Sequence, residues 1–449
     1  MPNLHGKRVI VVGLGTSGVA AARLCLRRGA SVVGTDAKGE PQVGANALAL
    51  RGEGATLVLG GHEGVDFAHA DLVVMSPGVP SFAKLEEAER AGVQVIGEVE
   101  LSIRQLPRRT PIVAVGGTNG KSTVTSLVGA IFEGAGKRTF TGGNLGEPLA
   151  DHVDLPWDVV VLEVSSFQME RVRDFQPRAA ILLNVTPDHL DRYPSFEAYA
   201  HAKGNAFVKQ TQVDVAIAPV DDPVARSEAQ RGKGRLVTFG PGGDITVTDA
   251  EVHDAVRGAR YPRALFGIQG GHNALNVAAA VAACADMGVA HDVIARVVRD
   301  FRGLPHRMTL VADVGGVRYY DDSKGTNVGA SVTALLGIAE KKAVLIAGGR
   351  DKGGSYGPLV DALVKRGRAV VLLGEAAEAI EQAVGGAVPV RRVASLDEAV
   401  RAASTLAQPG DAVLLSPACS SFDMFRDYKH RGEEFVRAVG ELQKKEVRG

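Results

Sequence analysis

Short apolar runs alternate with glycine-rich turns and amphipathic stretches along nearly the whole chain, a rhythm that predicts an α/β protein. The first unit is the clearest. Residues 8–12 read as a strand, Gly13-Leu-Gly-Thr-Ser-Gly18 as a turn, 19–28 as a helix stopped by Gly29, and 31–35 as a second strand ended by Asp36. Further strands are predicted at 70–75, 93–96, 158–163, 179–184, 213–219, 317–320, 343–347, 369–373 and 412–415. Helices are predicted over 82–91, 97–106 and 196–210, and from residue 328. Residues 231–265 mix short apolar runs with Gly and Asp turns, which predicts a small antiparallel excursion. Residues 274–290 are Ala-rich but contain Asn276 and Asp286, so they predict a packed helix and no membrane span. Boundaries fall near residue 98 and at Phe301-Arg-Gly-Leu-Pro-His-Arg307, with Pro107-Arg-Arg-Thr-Pro111 as a connector. Three domains are expected: 1–98, 99–304 and 305–449.

The stretch Val113-Ala-Val-Gly-Gly-Thr-Asn-Gly-Lys-Ser-Thr-Val124 organises the middle of the chain. It predicts a buried strand, a glycine-rich loop and a helix start. Such a loop turns backbone N–H groups around an anion, and the helix N-terminus adds its positive dipole end. Lys121 would reach the outer phosphates of ATP or GTP, and the Ser122 hydroxyl would hold Mg²⁺. The common pattern has its first Gly where Val115 stands here; the glycines sit at Gly116 and Gly117.

Other strand ends carry polar groups. Glu163 closes a buried run and can hold Mg²⁺ directly or through water, or can be an ordinary strand-end charge. Asp188, His189 and Asp191 form either a polar site or a solvated loop. Asn273 and Asn276, three apart on one helix face, either read a base edge or act as a cap and a core polar group. The glycines at 13, 15 and 18 with Asp36 fit a dinucleotide-binding turn, which alone would suggest an NAD-dependent oxidoreductase; the same geometry binds other nucleotide diphosphates.

Composition narrows the class. The chain has 449 residues, 45% apolar and 23% charged, with Lys plus Arg equal to Asp plus Glu. A zero formal charge argues against a protein that coats nucleic acid or acidic membrane. Cys25, Cys284 and Cys419 are far apart, lack metal-ligand spacing and sit among apolar or small residues, which predicts buried thiols and a reducing cytoplasm. No signal peptide is evident at the N-terminus.

Taken together, six motifs in order resemble the Mur ligase family, the ATP-dependent amide-forming enzymes of peptidoglycan precursor synthesis. They are Gly117-Thr-Asn-Gly-Lys-Ser122, Glu163-Val-Ser-Ser-Phe-Gln168, Asn184-Val-Thr-Pro-Asp-His-Leu-Asp-Arg192, His272-Asn-Ala-Leu-Asn276, Leu304-Pro-His-Arg307 and Asp322-Ser-Lys324. Gly143-Asn-Leu-Gly146, Asp191-Arg-Tyr-Pro194, Ser323-Lys-Gly-Thr-Asn327 and Leu415-Ser-Pro-Ala-Cys419 are most similar to the members that join D-glutamate to UDP-N-acetylmuramoyl-L-alanine. Asp321 and Gly325 stand where Asn and Ala are usual.

The resemblance implies a Rossmann-like N-terminal domain, a central phosphate-loop ATPase with a mostly parallel sheet, and a Rossmann-like C-terminal domain. It implies that the first domain holds UDP, with Gly15, Thr16, Asp36, Ala37, Ser76, Pro77 and Gly78 at that substrate and Asn144 beside it in the central domain. Gly117, Thr118, Asn119, Gly120, Lys121, Ser122, Thr123, Asn273, Asn276, Arg307 and Asp322 would bind ATP. Two Mg²⁺ ions would be held by Ser122, Glu163, His189 and Lys203, the lysine as a carbamate because an ammonium cannot ligate a cation. Lys121, His189 and Lys203 would be catalytic. Lys324, Thr326, Lys352, Ser421, Phe422 and Tyr428 would bind D-glutamate, with Tyr428 where Phe is expected. A monomer whose C-terminal domain closes over the central one is also expected. The alternatives are a folylpolyglutamate synthase-like ligase, which would not need the N-terminal unit, an NAD-dependent dehydrogenase, which would leave the phosphate loop unused, and a non-enzymatic nucleotide-sugar sensor.

Overall fold

The computed structural model describes residues 3–107, 110–353 and 355–446; Arg108 and Arg109 of the expected connector, and Gly354, lie outside the described residues. The chain forms two compact units. One contains residues 1–185, 200–267 and 274–301, and the other 186–199, 268–273 and 302–449.

The first unit holds two sheets. The N-terminal one is parallel, built from β1 (Arg8–Val12), β2 (Ser31–Asp36), β3 (Thr56–Leu59), β4 (Leu72–Met75) and β5 (Val95–Gly97), in the order β3-β2-β1-β4-β5. β1 and β4 are buried along almost their whole length, as expected of strands covered on both faces. Strand order reverses between β1 and β4, and the crevice beyond their carboxyl ends is where open α/β sheets bind ligands.

The second sheet comprises β6 (Ile112–Gly116), β7 (Thr139–Gly143), β8 (Val159–Glu163), β9 (Ala179–Leu182), β10 (Val215–Pro219), β11 (Arg235–Gly240), β12 (Ile245–Val247), β13 (Glu251–Asp254) and β14 (Ala259–Pro262). Its order is β14-β13-β12-β11-β10-β9-β6-β8-β7, so β6 lies inside with β8 and β9 as neighbours. The expected antiparallel excursion is only partly so. β11 pairs parallel with both β10 and β12, because Val237 and Phe239 are buried and extend the parallel core. Antiparallel pairing is confined to β12, β13 and β14. The helix expected over 196–210 ends at Gly204, where the chain passes into turns.

The second unit is built on β15 (Thr309–Val314), β16 (Val317–Asp321), β17 (Ala343–Gly348), β18 (Gly367–Leu373), β19 (Val390–Arg392) and β20 (Ala412–Leu415). The order is β15-β16-β20-β17-β18-β19, parallel except for β15. β20 returns between β16 and β17, so three strand ends far apart in sequence become neighbours. Helices cover both faces, with one apolar layer around Leu335, Leu359 and Ile380 and another around Val400, Phe435 and Val439.

All three cysteines are buried and unpaired. Burial pushes the Cys25 thiol up to about 12 and Cys419 to about 11, so neither is a thiolate at neutral pH. Among the described residues no helix is long and apolar enough to cross a membrane.

Candidate nucleotide and substrate sites

The N-terminal crevice is assembled from the tips of β1, β2 and β4. Gly13 has φ +83° and ends β1. A Cβ on Gly18 would overlap the Gly13 carbonyl and Ser76 Oγ, which explains the glycine there. The helix Thr16–Arg27 begins with Gly15 as an extended N-cap, and both Gly15 and Thr16 are exposed. Asp36 accepts from the backbone N–H of Leu14 (2.7 Å) and of Lys38 (2.9 Å), so its carboxylate ties the β1 turn to the β2 end. Ala37 beside it is exposed. Ser76 Oγ donates to the Gly13 carbonyl at 2.6 Å, and Gly78 takes φ +82°. A shallow cleft opens beside the end of β4, lined by Ser76, Pro77, Gly78, Glu98, Gln168 and Arg171 among others.

The phosphate loop follows β6. Gly117 (φ +138°) and Gly120 (φ +86°) make its two reversals, and the helix Lys121–Gly134 starts directly after. Asn184, at the end of β9, clips the loop: its carbonyl accepts from Thr118 N–H (2.9 Å), its Oδ1 from Asn119 N–H (2.9 Å), and its Nδ2 donates to the Asn119 carbonyl (3.1 Å). Lys121 Nζ donates to the carbonyls of Gly117 (3.0 Å) and Thr118 (2.8 Å). Lys203, only 5% exposed, reaches the same loop and donates to the Gly117 carbonyl at 2.8 Å. Ser122, Thr123 and Asn276 are buried, and a Cβ on Gly120 would meet Asn276 Oδ1 at 2.6 Å. The structure therefore gathers Thr118, Asn119, Lys121, Asn276 and Lys203 around one loop.

Glu163 ends β8 and is 2% exposed. Its Oε1 accepts from Asn144 Nδ2 at 2.7 Å, so Asn144 braces this carboxylate. Its Oε2 has no hydrogen-bond partner among the described residues. An unpartnered buried carboxylate oxygen is costly. It fits a hard cation, and Mg²⁺ takes few protein ligands, drawing the rest from water and phosphate. No cluster of three or more His, Cys, Asp or Glu that could hold a metal occurs among the described residues.

The second unit brings three strand ends together. After β16, Asp322 is buried; its Oδ2 accepts from Ser416 Oγ (2.7 Å) and its Oδ1 from Met308 N–H (3.3 Å). Burial pushes this carboxyl up to about 7, with Ser416 and Arg307 opposing the rise. The Arg307 charge also reinforces the lowering by burial of the His272 imidazole. Arg431, buried in the helix Tyr428–Glu446, donates to Ser323 Oγ (3.0 Å), the Ser323 carbonyl (2.8 Å) and the Cys419 carbonyl (3.2 Å). It sutures the loop carrying Lys324 and Thr326 to the loop carrying Ser421. Burial pulls its guanidinium down to about 10.

Lys324 Nζ lies 3.9 Å from the Tyr428 ring centroid, a cation–π contact. Phe422 is 67% exposed. Lys352 Nζ is 3.4 Å from Asp188 Oδ1, and Asn327 Nδ2 donates to Asp188 Oδ2 at 3.2 Å. His189 sits at φ +56°, with its N–H on Asp188 Oδ1 at 2.9 Å. Asn273 Nδ2 donates to the Gln269 carbonyl at 2.8 Å. His189 and Asn273 belong to the second unit, and Lys203 and Asn276 to the first. Asn184 and Arg431 carried no assignment from the sequence: Asn184 lay inside a quoted motif, whereas Arg431 had no local signal.

Three family models match in order. Residues 7–97 match the N-terminal domain of MurD-like Mur ligases, 115–284 the Mur ligase middle domain, and 306–419 the Mur ligase glutamate ligase domain. The UDP-N-acetylmuramoylalanine--D-glutamate ligase of Geobacter metallireducens is 45% identical over 450 residues, spanning 98% of both chains. The chain belongs to the Mur ligase family. Among solved structures, the UDP-N-acetylmuramate-alanine ligase of Thermotoga maritima superposes with a TM-score of 0.62 at 21% identity, covering 98% of this chain and 100% of its own. The folylpolyglutamate synthase of Mycobacterium tuberculosis, solved with ADP and AMPPCP, gives 0.59 at 16% identity and covers 75% of this chain and 91% of its own. At these identities the two structures speak to the fold alone. In this Mur ligase the three matched segments carry the three sheets, in the same order.

Proposed function

We propose that this chain is an ATP-dependent ligase that joins D-glutamate to UDP-N-acetylmuramoyl-L-alanine in peptidoglycan precursor synthesis. The observation that carries the reading is 45% identity across 98% of both chains to a ligase of that name. The substrate carboxylate attacks the γ-phosphorus of ATP and ADP leaves. The amine of D-glutamate then attacks the acyl phosphate carbonyl, loses a proton and expels phosphate. Such chemistry depends on neutralising charge and holding reactants in line.

Three functional domains divide the work, at 1–98, 99–304 and 305–449. Gly15, Thr16, Asp36, Ala37, Ser76, Pro77 and Gly78 hold the UDP moiety. Gly117 to Thr123 cradle the triphosphate, with Asn273 and Asn276 at adenine, Arg307 at the phosphates and Asp322 at the ribose. Lys121 donates to the outer phosphates. Ser122 and Glu163 would hold one Mg²⁺; His189 and Lys203, the latter as a carbamate formed with CO₂, would hold a second. Bound Mg²⁺ supplies charge neutralisation at the transferring phosphoryl group. The unpartnered Oε2 of Glu163 supports a cation at that residue. Lys324, Thr326, Lys352 and Ser421 receive D-glutamate, the two lysines pairing with its carboxylates. Tyr428, against Lys324, is a better wall for that site than exposed Phe422. We place the enzyme in the cytoplasm as a monomer.

The test is phosphate release from ATP with UDP-N-acetylmuramoyl-L-alanine and either glutamate isomer. Release that requires the muramoyl substrate and D-glutamate, with L-glutamate inert, is expected. Release driven by a folate and L-glutamate instead would establish the folylpolyglutamate synthase-like alternative.

A further inference from the structure

The loop after β3 carries a histidine that none of the site assignments uses. His62 stacks on Phe82, with ring centroids 4.6 Å apart and planes 14° from parallel. Phe82 follows the Ser76–Pro80 loop at the end of β4 and is itself held edge-on by buried Phe67 at 5.5 Å. β3 and β4 are separated in the sheet by β2 and β1. The ring pair therefore bridges the loops on either side of the strand ends where Asp36 and Gly13 sit. The Gly60 and Gly61 N–H groups both donate to the Asp36 carbonyl at 3.1 Å, which holds the His62 loop against the tip of β2. In a sheet of this order the sugar of a bound nucleotide lies at the acid that ends β2, and the rest of the nucleotide occupies the crevice beyond the strand ends.

The hydrogen bonds turn Nδ1 of the imidazole toward Thr35. Thr35, fully buried, donates its single hydroxyl hydrogen to the Gly61 carbonyl at 3.2 Å. Its oxygen lies 2.9 Å from His62 Nδ1. With that hydrogen on the Gly61 carbonyl, the tautomer we assign carries its proton on Nδ1, donates to Thr35 and leaves Nε2 as an acceptor. Burial lowers the imidazole pKa, keeping the ring neutral, with Asp36 and Glu63 opposing. A neutral acceptor suits a base edge and not a phosphate. Uracil presents a donor, N3–H, where cytosine presents a lone pair.

We infer that His62, backed by Phe82, recognises the uracil base of the UDP-linked substrate, accepting from its N3–H through Nε2. This rests on the reading that the N-terminal sheet holds UDP. The test is calorimetric titration of UDP and CDP into the full chain and into His62→Ala and His62→Phe variants. Wild type should prefer UDP. His62→Ala should bind UDP about tenfold more weakly and lose the preference. His62→Phe keeps the stack on Phe82 without ring nitrogens; it should retain more affinity than His62→Ala yet lose the preference equally. A purely structural histidine would weaken both nucleotides alike and leave their ratio unchanged, and that result overturns the assignment. A wild-type chain that binds no UDP overturns the underlying reading of the crevice itself. The KM for ATP, measured on the same variants, should stay at the wild-type value.

Discussion

Replacing Asp322 with asparagine should flatten the dependence of stability on pH. The carboxyl is buried behind β16 and burial raises it from 3.8 to about 7. Its folded value therefore lies above its unfolded one. The associated stabilisation is complete below the unfolded value and is lost as pH rises through the folded one. The whole effect is about 4 kcal/mol, and about 3 kcal/mol of it falls between pH 5 and pH 8. No discount for solvent screening applies, because the group is enclosed. Hydrogen bonds from Ser416 Oγ and Met308 N–H are already included in the balance, since both oppose the rise. Asparagine keeps an acceptor for Ser416 and removes the ionisation. The double difference, wild type minus variant at pH 5 and at pH 8, isolates this group from every other titrating residue. A global melt of a chain with several units is unsuitable, since its transitions need not be two-state. Native-state hydrogen exchange of β20 is suitable, because Asp322 N–H donates to the Leu415 carbonyl at 2.8 Å and shares its opening unit. A variant with the same pH slope as wild type across β20 would refute the argument.

Two further changes address the phosphate loop. Lys203→Ala should lose activity by about a thousandfold, a loss of the size seen when one transition-state stabiliser is removed. Acetate or formate should restore part of it by supplying the missing carboxylate, and a fully active variant would dismiss the carbamate. Glu163→Gln should raise the Mg²⁺ concentration for half-maximal rate by about tenfold or more. The same change should slow native-state hydrogen exchange in β8 without Mg²⁺, since it removes the charge from a buried oxygen that lacks a partner. An unchanged Mg²⁺ requirement would remove Glu163 from the metal site.

The parts of this fold legible in the sequence share one physical property. β6, β8 and β20 are buried on both faces, so they read as unbroken apolar runs bounded by glycine or polar turns. β3 and β19 were not legible: each pairs with a single neighbour at a sheet edge, and their half-exposed, mixed residues carry no clear period. The site divides along a similar line. Lys121 and Ser122 are recognisable because the loop that positions them is contiguous, and the glycines that shape it, Gly117 and Gly120, lie within it. Asn184 acts on a loop 65 residues away and Arg431 on a serine 108 residues away, so no local pattern marks either as a brace. Phe422 and Tyr428 show the same limit from the other side. Both are aromatic and six positions apart, yet only the return of β20 between β16 and β17 decides which ring meets Lys324. The residues that would contact ligands are therefore spelled out in short motifs, while the residues that hold those motifs in register emerge from the strand order. Arg431 illustrates what that order demands. A guanidinium this buried is tolerable only because three oxygens from two loops meet it, and the loops meet only because β20 lies between its neighbours.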